Sequence, residues 1–94
     1  MIAIKKVPGE RPVVVEIEDD LKTLQEAVEG YIEAVTLPGG LVIVCNDEGL
    51  INNLPFNTFV AGHYLFGNIL IVGDGGDCFA DIPEKYIPLL LNVL

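Results

Sequence analysis

Apolar residues in this chain follow two different periods, and the alternation between them lays out the elements. Ile2–Val7 reads as a first strand, and Pro8–Pro12 (PGERP) as the turn that follows it. Val13–Glu18 (VVVEIE) carries β-branched residues and then alternation, which predicts a second strand antiparallel to the first. The period then lengthens. Leu21, Leu24 and Val28 fall on one helical face with Ala27 beside them, while Lys22, Gln25, Glu26 and Glu29 lie largely outside. Asp19 or Asp20 supplies an acceptor for a free backbone N–H at the start of that helix. Gly30 is expected to end it in the left-handed conformation.

Period two returns over Tyr31–Leu37 and Leu41–Asn46, two strands joined by the reverse turn Pro38–Gly39–Gly40. Ile32, Ala34 and Thr36 share one face there, and Tyr31, Glu33 and Val35 the other. LVIVC, residues 41–45, shows no polar alternation, so a central strand covered on both faces is expected. Asp47–Gly49 turns the chain. Residues 50–57 sustain no period, and Pro55 opposes a regular central strand, so a loop anchored by Ile51, Leu54 and Phe56 is expected. Thr58–Leu65 fits either a strand or a helical turn. Asn68–Val72 is a buried strand, followed by the loop Gly73–Cys78. Asp81 is placed to cap a last helix as part of a capping box with Glu84, and Pro88 should kink or end that helix. The whole is α+β: a single small domain over residues 1–94, with a mainly antiparallel sheet, one amphipathic helix after the second strand and a short C-terminal helix.

Composition adds an expectation about assembly. With 51% apolar residues in 94, a domain this small has difficulty hiding its hydrocarbon, which predicts a homodimer or larger homo-oligomer. The net charge of −9 opposes binding to a nucleic-acid backbone or an anionic membrane, since both require clustered lysine and arginine. Cys45 and Cys78 are too few for a disulfide framework, and Cys45 sits in an apolar run where a buried, reduced thiol is expected. The first twelve residues contain no export signal, and the apolar IPLLLNVL run is too short to span a bilayer. The expected location is the cytoplasm.

Candidate chemistry is confined to polar loop residues. Asn46, Asn53 and Asn57 offer amides suited to a neutral polar ligand such as a base edge, and Pro55 with Phe56 offers a stacking wall. Lys5, Lys6 and Arg11 are candidates for one anionic group of the same ligand. Asparagines in turns also bond their own backbone, which is the competing role for each. His63 is the sole histidine, and no motif supplies it with a nucleophile and an orienting acid. The loop Gly73–Asp77 lacks the alternating acids and terminal glutamate of a calcium loop, and no GK[ST] follows it. No catalytic residue, metal site or cofactor is expected.

The series EIEDDLKTLQEAVEGYIEAV, then LVIVCNDEG, LPFN and ILIVG, resembles the small family called domain of unknown function 3846. Its pattern runs E-I-x-N-x-L-x-x-L-Q-x-x-V-G-G-x-I-E, then N-E-x-G, L-P-x-N and I-x-G, and the likeness extends from about Val13 to Gly73. The chain departs at Asp19, where the family often has asparagine, and at Glu29, where it often has glycine. The resemblance marks Gln25, Glu33, Asn46, Glu48, Gly49, Pro55 and Asn57 as recurrent polar or turn positions, with no catalytic role attached. It implies an accessory protein of bacteriophages, plasmids and their hosts.

Together these features lead to the expectation of a non-enzymatic counter-defence factor that sequesters a small nucleotide-like ligand. Two alternatives stand beside it: an inhibitor docking on a host protein through an edge strand or the C-terminal helix, and a DNA mimic in which carboxylates replace phosphates.

Overall fold

A computed structural model describes residues 1–49 and 51–94; Leu50, the first residue of the loop expected over 50–57, lies outside the described residues. The chain runs β1 (Ile2–Lys6), β2 (Val13–Glu16), α1 (Leu21–Val28), β3 (Ile32–Leu37), β4 (Leu41–Asn46), β5 (Phe56–Val60), β6 (His63–Phe66), β7 (Ile69–Asp74), β8 (Phe79–Ala80), a 3-10 turn (Glu84–Tyr86) and α2 (Ile87–Val93). This is the α+β arrangement that the periodicity predicts. Five strands lie in the order β2-β1-β7-β4-β3, the short β8 adds to β7, and all described pairings are antiparallel.

The sheet is buried on both faces at its centre. Val42, Val44, Leu70 and Val72 point to one face, where Leu24 and Val28 of α1 cover them. Ile43, Cys45, Ile69 and Ile71 point to the other, beneath Leu65 of β6 and Leu90 of α2. Every residue of β4 is buried, as its unbroken apolar run requires. Each large side chain so enclosed contributes about 1.5–3 kcal/mol relative to exposure.

Helix α1 starts as expected and ends differently. Asp20 accepts a hydrogen bond from the Thr23 amide at 2.8 Å. The left-handed residue at the other end is Glu29 (φ 61°, ψ 41°), not Gly30. The Gly30 amide reaches back to the Gln25 carbonyl at 3.0 Å and the Glu29 amide to Glu26 at 3.3 Å, the paired closure of a Schellman motif. Gly30 serves a second purpose, because a Cβ there would lie 2.6 Å from the amide nitrogen of Asn46. Leu21 is exposed; Leu24 and Val28 are buried against the sheet, with Ala27 half-buried beside them.

Three further expectations change. The ambiguous segment is a hairpin: β5 and β6 pair across Ala61 (φ 49°) and Gly62 (φ 85°), and two consecutive positive φ values define a type I′ turn. Of the expected loop anchors, Ile51 and Phe56 are exposed, and Leu54 alone is half-buried. Asp81 does not cap a helix. Its carboxylate accepts from the Ile2 amide at 2.8 Å, and the Ile82 amide bonds the Ile2 carbonyl at 2.9 Å, so the chain after β8 is tied to β1. Pro88 accordingly sits in the first turn of α2, where its missing N–H removes no helical bond.

Candidate interaction surface

Two of the three asparagines expected to form one ligand surface have their amides engaged by backbone carbonyls. Asn46 ends β4 and is buried; its amide donates to the carbonyls of Val28 (3.1 Å) and Glu29 (3.3 Å), and its oxygen accepts from the Glu48 amide (2.8 Å). One side chain thus closes the C-terminus of α1 and shapes the turn after β4. Asn68 adds a bond to the Ala27 carbonyl at 3.2 Å. Asn57 lies where the β5–β6 register shifts, and its amide donates inward to the carbonyls of Lys6 (2.8 Å) and Gly67 (2.7 Å). Its oxygen is buried with no partner among the described residues.

Asn53 is exposed with φ 55°, and Pro55 is exposed beside it. The cations do not converge either. Lys5 and Lys6 are adjacent in a strand and point to opposite faces. Lys6 is 7% exposed with its ammonium on the Val7 carbonyl (3.1 Å), and Arg11 lies exposed between β1 and β2. For Asn46, Asn57 and Asn68 the physical reason is shared: buried peptide groups at a helix end and a bulge need partners, and the nearest amide side chains supply them.

Outside the core, the hairpin presents an aromatic face. In β6, Leu65 turns into the core while Tyr64 and Phe66 turn outward. Phe59 stands opposite Tyr64 with ring centroids 4.7 Å apart, and Phe56 lies 6.4 Å from Tyr64 and 5.8 Å from Phe66. Phe56, Phe59 and Tyr64 are 52%, 53% and 69% exposed. The two aromatic pairs are spaced about Ala61–Gly62, a signal visible in sequence only to a reader who already expects a hairpin there.

Two clefts flank β3. On the α1 face, a cavity of about 410 Å³ has Ala34, Thr36 and Val42 among its lining and Asp19, Asp74 and Asp77 around it. On the opposite face, a cavity of about 190 Å³ is lined by Val35, Cys45 and the aromatic Tyr64, with Glu33, Asp47 and His63. Cys45 and His63 therefore share a cleft, but the thiol is not activated. Burial, reinforced by the Glu33 and Asp47 carboxylates, pushes its pKa up to about 11, and its sulfur lies 3.7 Å from the Glu33 carbonyl oxygen. A nucleophilic cysteine needs the opposite shift. Among the described residues, no grouping of three His, Cys, Asp or Glu side chains can hold a metal ion, and no helix is long and apolar enough to cross a membrane.

These features define a class: a small α+β domain with a doubly covered antiparallel sheet, an exposed aromatic hairpin and acid-lined clefts. The chain belongs to the family described as "Domain of unknown function (DUF3846)", whose model matches residues 1–92. Comparison with curated proteins and with solved structures finds no match to either.

Proposed function

We propose that this domain is a non-enzymatic accessory protein of mobile genetic elements that acts by docking on a host protein. The observation that carries the reading is the aromatic face of β5–β6, where Phe56 and Phe59 each pair with Tyr64 and all three rings are more than half exposed. Clustered aromatic side chains at a surface are the usual anchors of protein–protein interfaces. A setting in bacteriophages and plasmids, implied by the resemblance, makes the counterpart a protein of the bacterial host, with counter-defence the role that such docking would serve.

Sequestration of a nucleotide is the weaker reading. The amides of Asn46 and Asn57 are occupied by backbone carbonyls, and carboxylates around both clefts repel an anionic ligand. The test is affinity capture from host cells with the tagged chain, followed by reconstitution with the purified partner. A stoichiometric complex weakened about a hundredfold by Phe59→Ser with Tyr64→Ser supports docking. Calorimetric binding of cyclic dinucleotides or ADP-ribose derivatives, with no protein complex, overturns it.

A further inference from the structure

Both outer strands of the sheet are edges, and the hydrogen-bond phase shows which groups each leaves free. The Asp47 amide donates to the Tyr31 carbonyl, so Tyr31 and Asp47 are a bonded pair. In the β3–β4 register, the bonded pairs then continue at Glu33↔Cys45, Val35↔Ile43 and Leu37↔Leu41. The N–H and C=O of Ile32, Ala34 and Thr36 therefore point away from β4. No other strand pairs with β3, and no hydrogen bond among the described residues uses those groups. An exposed edge of this kind is a template for another strand.

The two clefts lie on opposite faces of this same edge. Ala34 and Thr36 open into the cavity ringed by Asp19, Asp74 and Asp77. Glu33 and Val35 open into the one that holds Asp47 and the Tyr64 ring. A strand added to β3 sends successive side chains to alternate faces, so two neighbouring residues of that strand enter the two clefts. Both clefts carry carboxylates and aromatic side chains, Phe79 in one and Tyr64 with Phe66 in the other, which together recognise a lysine ammonium or an arginine guanidinium.

We propose that β3 is a docking edge for an extended basic segment of a partner protein, which pairs with Ile32, Ala34 and Thr36 and places adjacent basic side chains in the acid-lined clefts on its two faces. The inference rests on the protein-docking reading and specifies its mode and chemistry. Main-chain bonds supply affinity in such an arrangement, and the pockets for alternate side chains supply specificity. Charge argues against a second copy of this chain as the occupant. The net charge is −9, and a β3–β3 pairing brings both sets of carboxylates together.

The test uses the full chain and synthetic peptides of sequence Thr-Val-Arg-Arg-Val-Thr and Thr-Val-Glu-Glu-Val-Thr. The arginine peptide is expected to bind and to slow hydrogen exchange at the amides of Ile32, Ala34 and Thr36. Its binding should weaken about tenfold for Glu33→Gln with Asp77→Asn, and the glutamate peptide should not bind. Ala34→Pro removes one outward N–H without touching the bonds to β4 and should abolish binding. Val14→Pro removes an outward N–H from the β2 edge and should leave binding unchanged. Exchange protection in the wild type covers the case in which Ala34→Pro does not fold. Absence of protection with the arginine peptide, binding retained by a folded Ala34→Pro, or concentration-dependent protection without peptide each overturns the inference. A host complex retained by Ala34→Pro leaves the docking reading standing and removes this inference alone; failure to capture any partner removes the docking reading.

Discussion

Strands β2 and β3 close opposite ends of one sheet, yet they differ in length and in what stands behind them. β2 has four residues, follows Pro12, and leans on β1, with Val13 and Val14 exposed. β3 has six residues and leans on β4, which is buried along its whole length and joins β3 through a glycine turn. Asn46, at the end of β4, also fastens the C-terminus of α1. On the docking proposal, β3 is the usable edge because its backing is buried and its two flanks carry clefts. Short length and proline are common ways for a sheet to make an edge unattractive to other strands.

The largest effect expected from this contrast is on stability. Ile43→Ala, in the strand that supports β3, should cost about 3 kcal/mol by chemical denaturation, because the side chain is fully buried. Val14→Ala on the β2 edge should cost less than about 0.5 kcal/mol. Equal losses would break the distinction between the two edges.

Cys45 reports on the same edge chemically. A pKa of about 11 against the ordinary 9.0 lowers its thiolate fraction at pH 8 about a hundredfold. Iodoacetamide at pH 8 should therefore label the exposed Cys78 and leave Cys45 about a hundredfold slower. From pH 9 towards 11 the unfolded thiol ionises before the folded one, so the unfolded state holds fewer protons and stability should fall as pH rises. Comparable labelling of the two thiols at pH 8 would show that β3 opens readily.

Asn46→Ala should cost about 2 kcal/mol, since it leaves the Val28 carbonyl and the Glu48 amide without their side-chain partner. Exchange should quicken first at the Tyr31 end of β3, with β2 unchanged. A uniform acceleration would mean that Asn46 supports the whole fold and not the β3 corner.

One small effect is a gain. Glu29 adopts a left-handed conformation that favours glycine, so Glu29→Gly should stabilise the domain by about 0.5–1 kcal/mol. The bond from Asn68 to the Glu29 carboxylate, long at 3.4 Å and exposed, offsets little of this. A loss of thermal stability would show that this bond matters more than the backbone strain.

Much of the architecture was legible in the chain. The unbroken run at residues 41–45 announces a doubly covered strand, the Leu24/Val28 spacing announces a one-sided helix, and Asp20 caps it as expected. These features depend on local period and on side chains bonding their near neighbours, which a linear sequence records. The β5–β6 hairpin was obscured because its I′ turn is built on Ala61–Gly62, without the asparagine or aspartate that usually signals one. The glycine that the resemblance places at position 29 fits the left-handed helix end, which this chain builds on Glu29 with Gly30 following it.

The candidate site divides along the same line. Amide side chains in loops advertise themselves in any sequence, but whether they face solvent or close a buried peptide group depends on which strand passes beside them. Asn46 meets α1, and Asn57 meets β1 across 51 positions. Those encounters are made by the folded chain alone, because a hydrogen bond between distant residues leaves no mark on the local pattern. Sequence by itself determined the strands β1 to β4 and β7, the helix face, the acidic charge and the doubly buried centre. Tertiary structure decided which edge stays open and which carboxylates surround it, since strand order brings together residues that the chain keeps far apart.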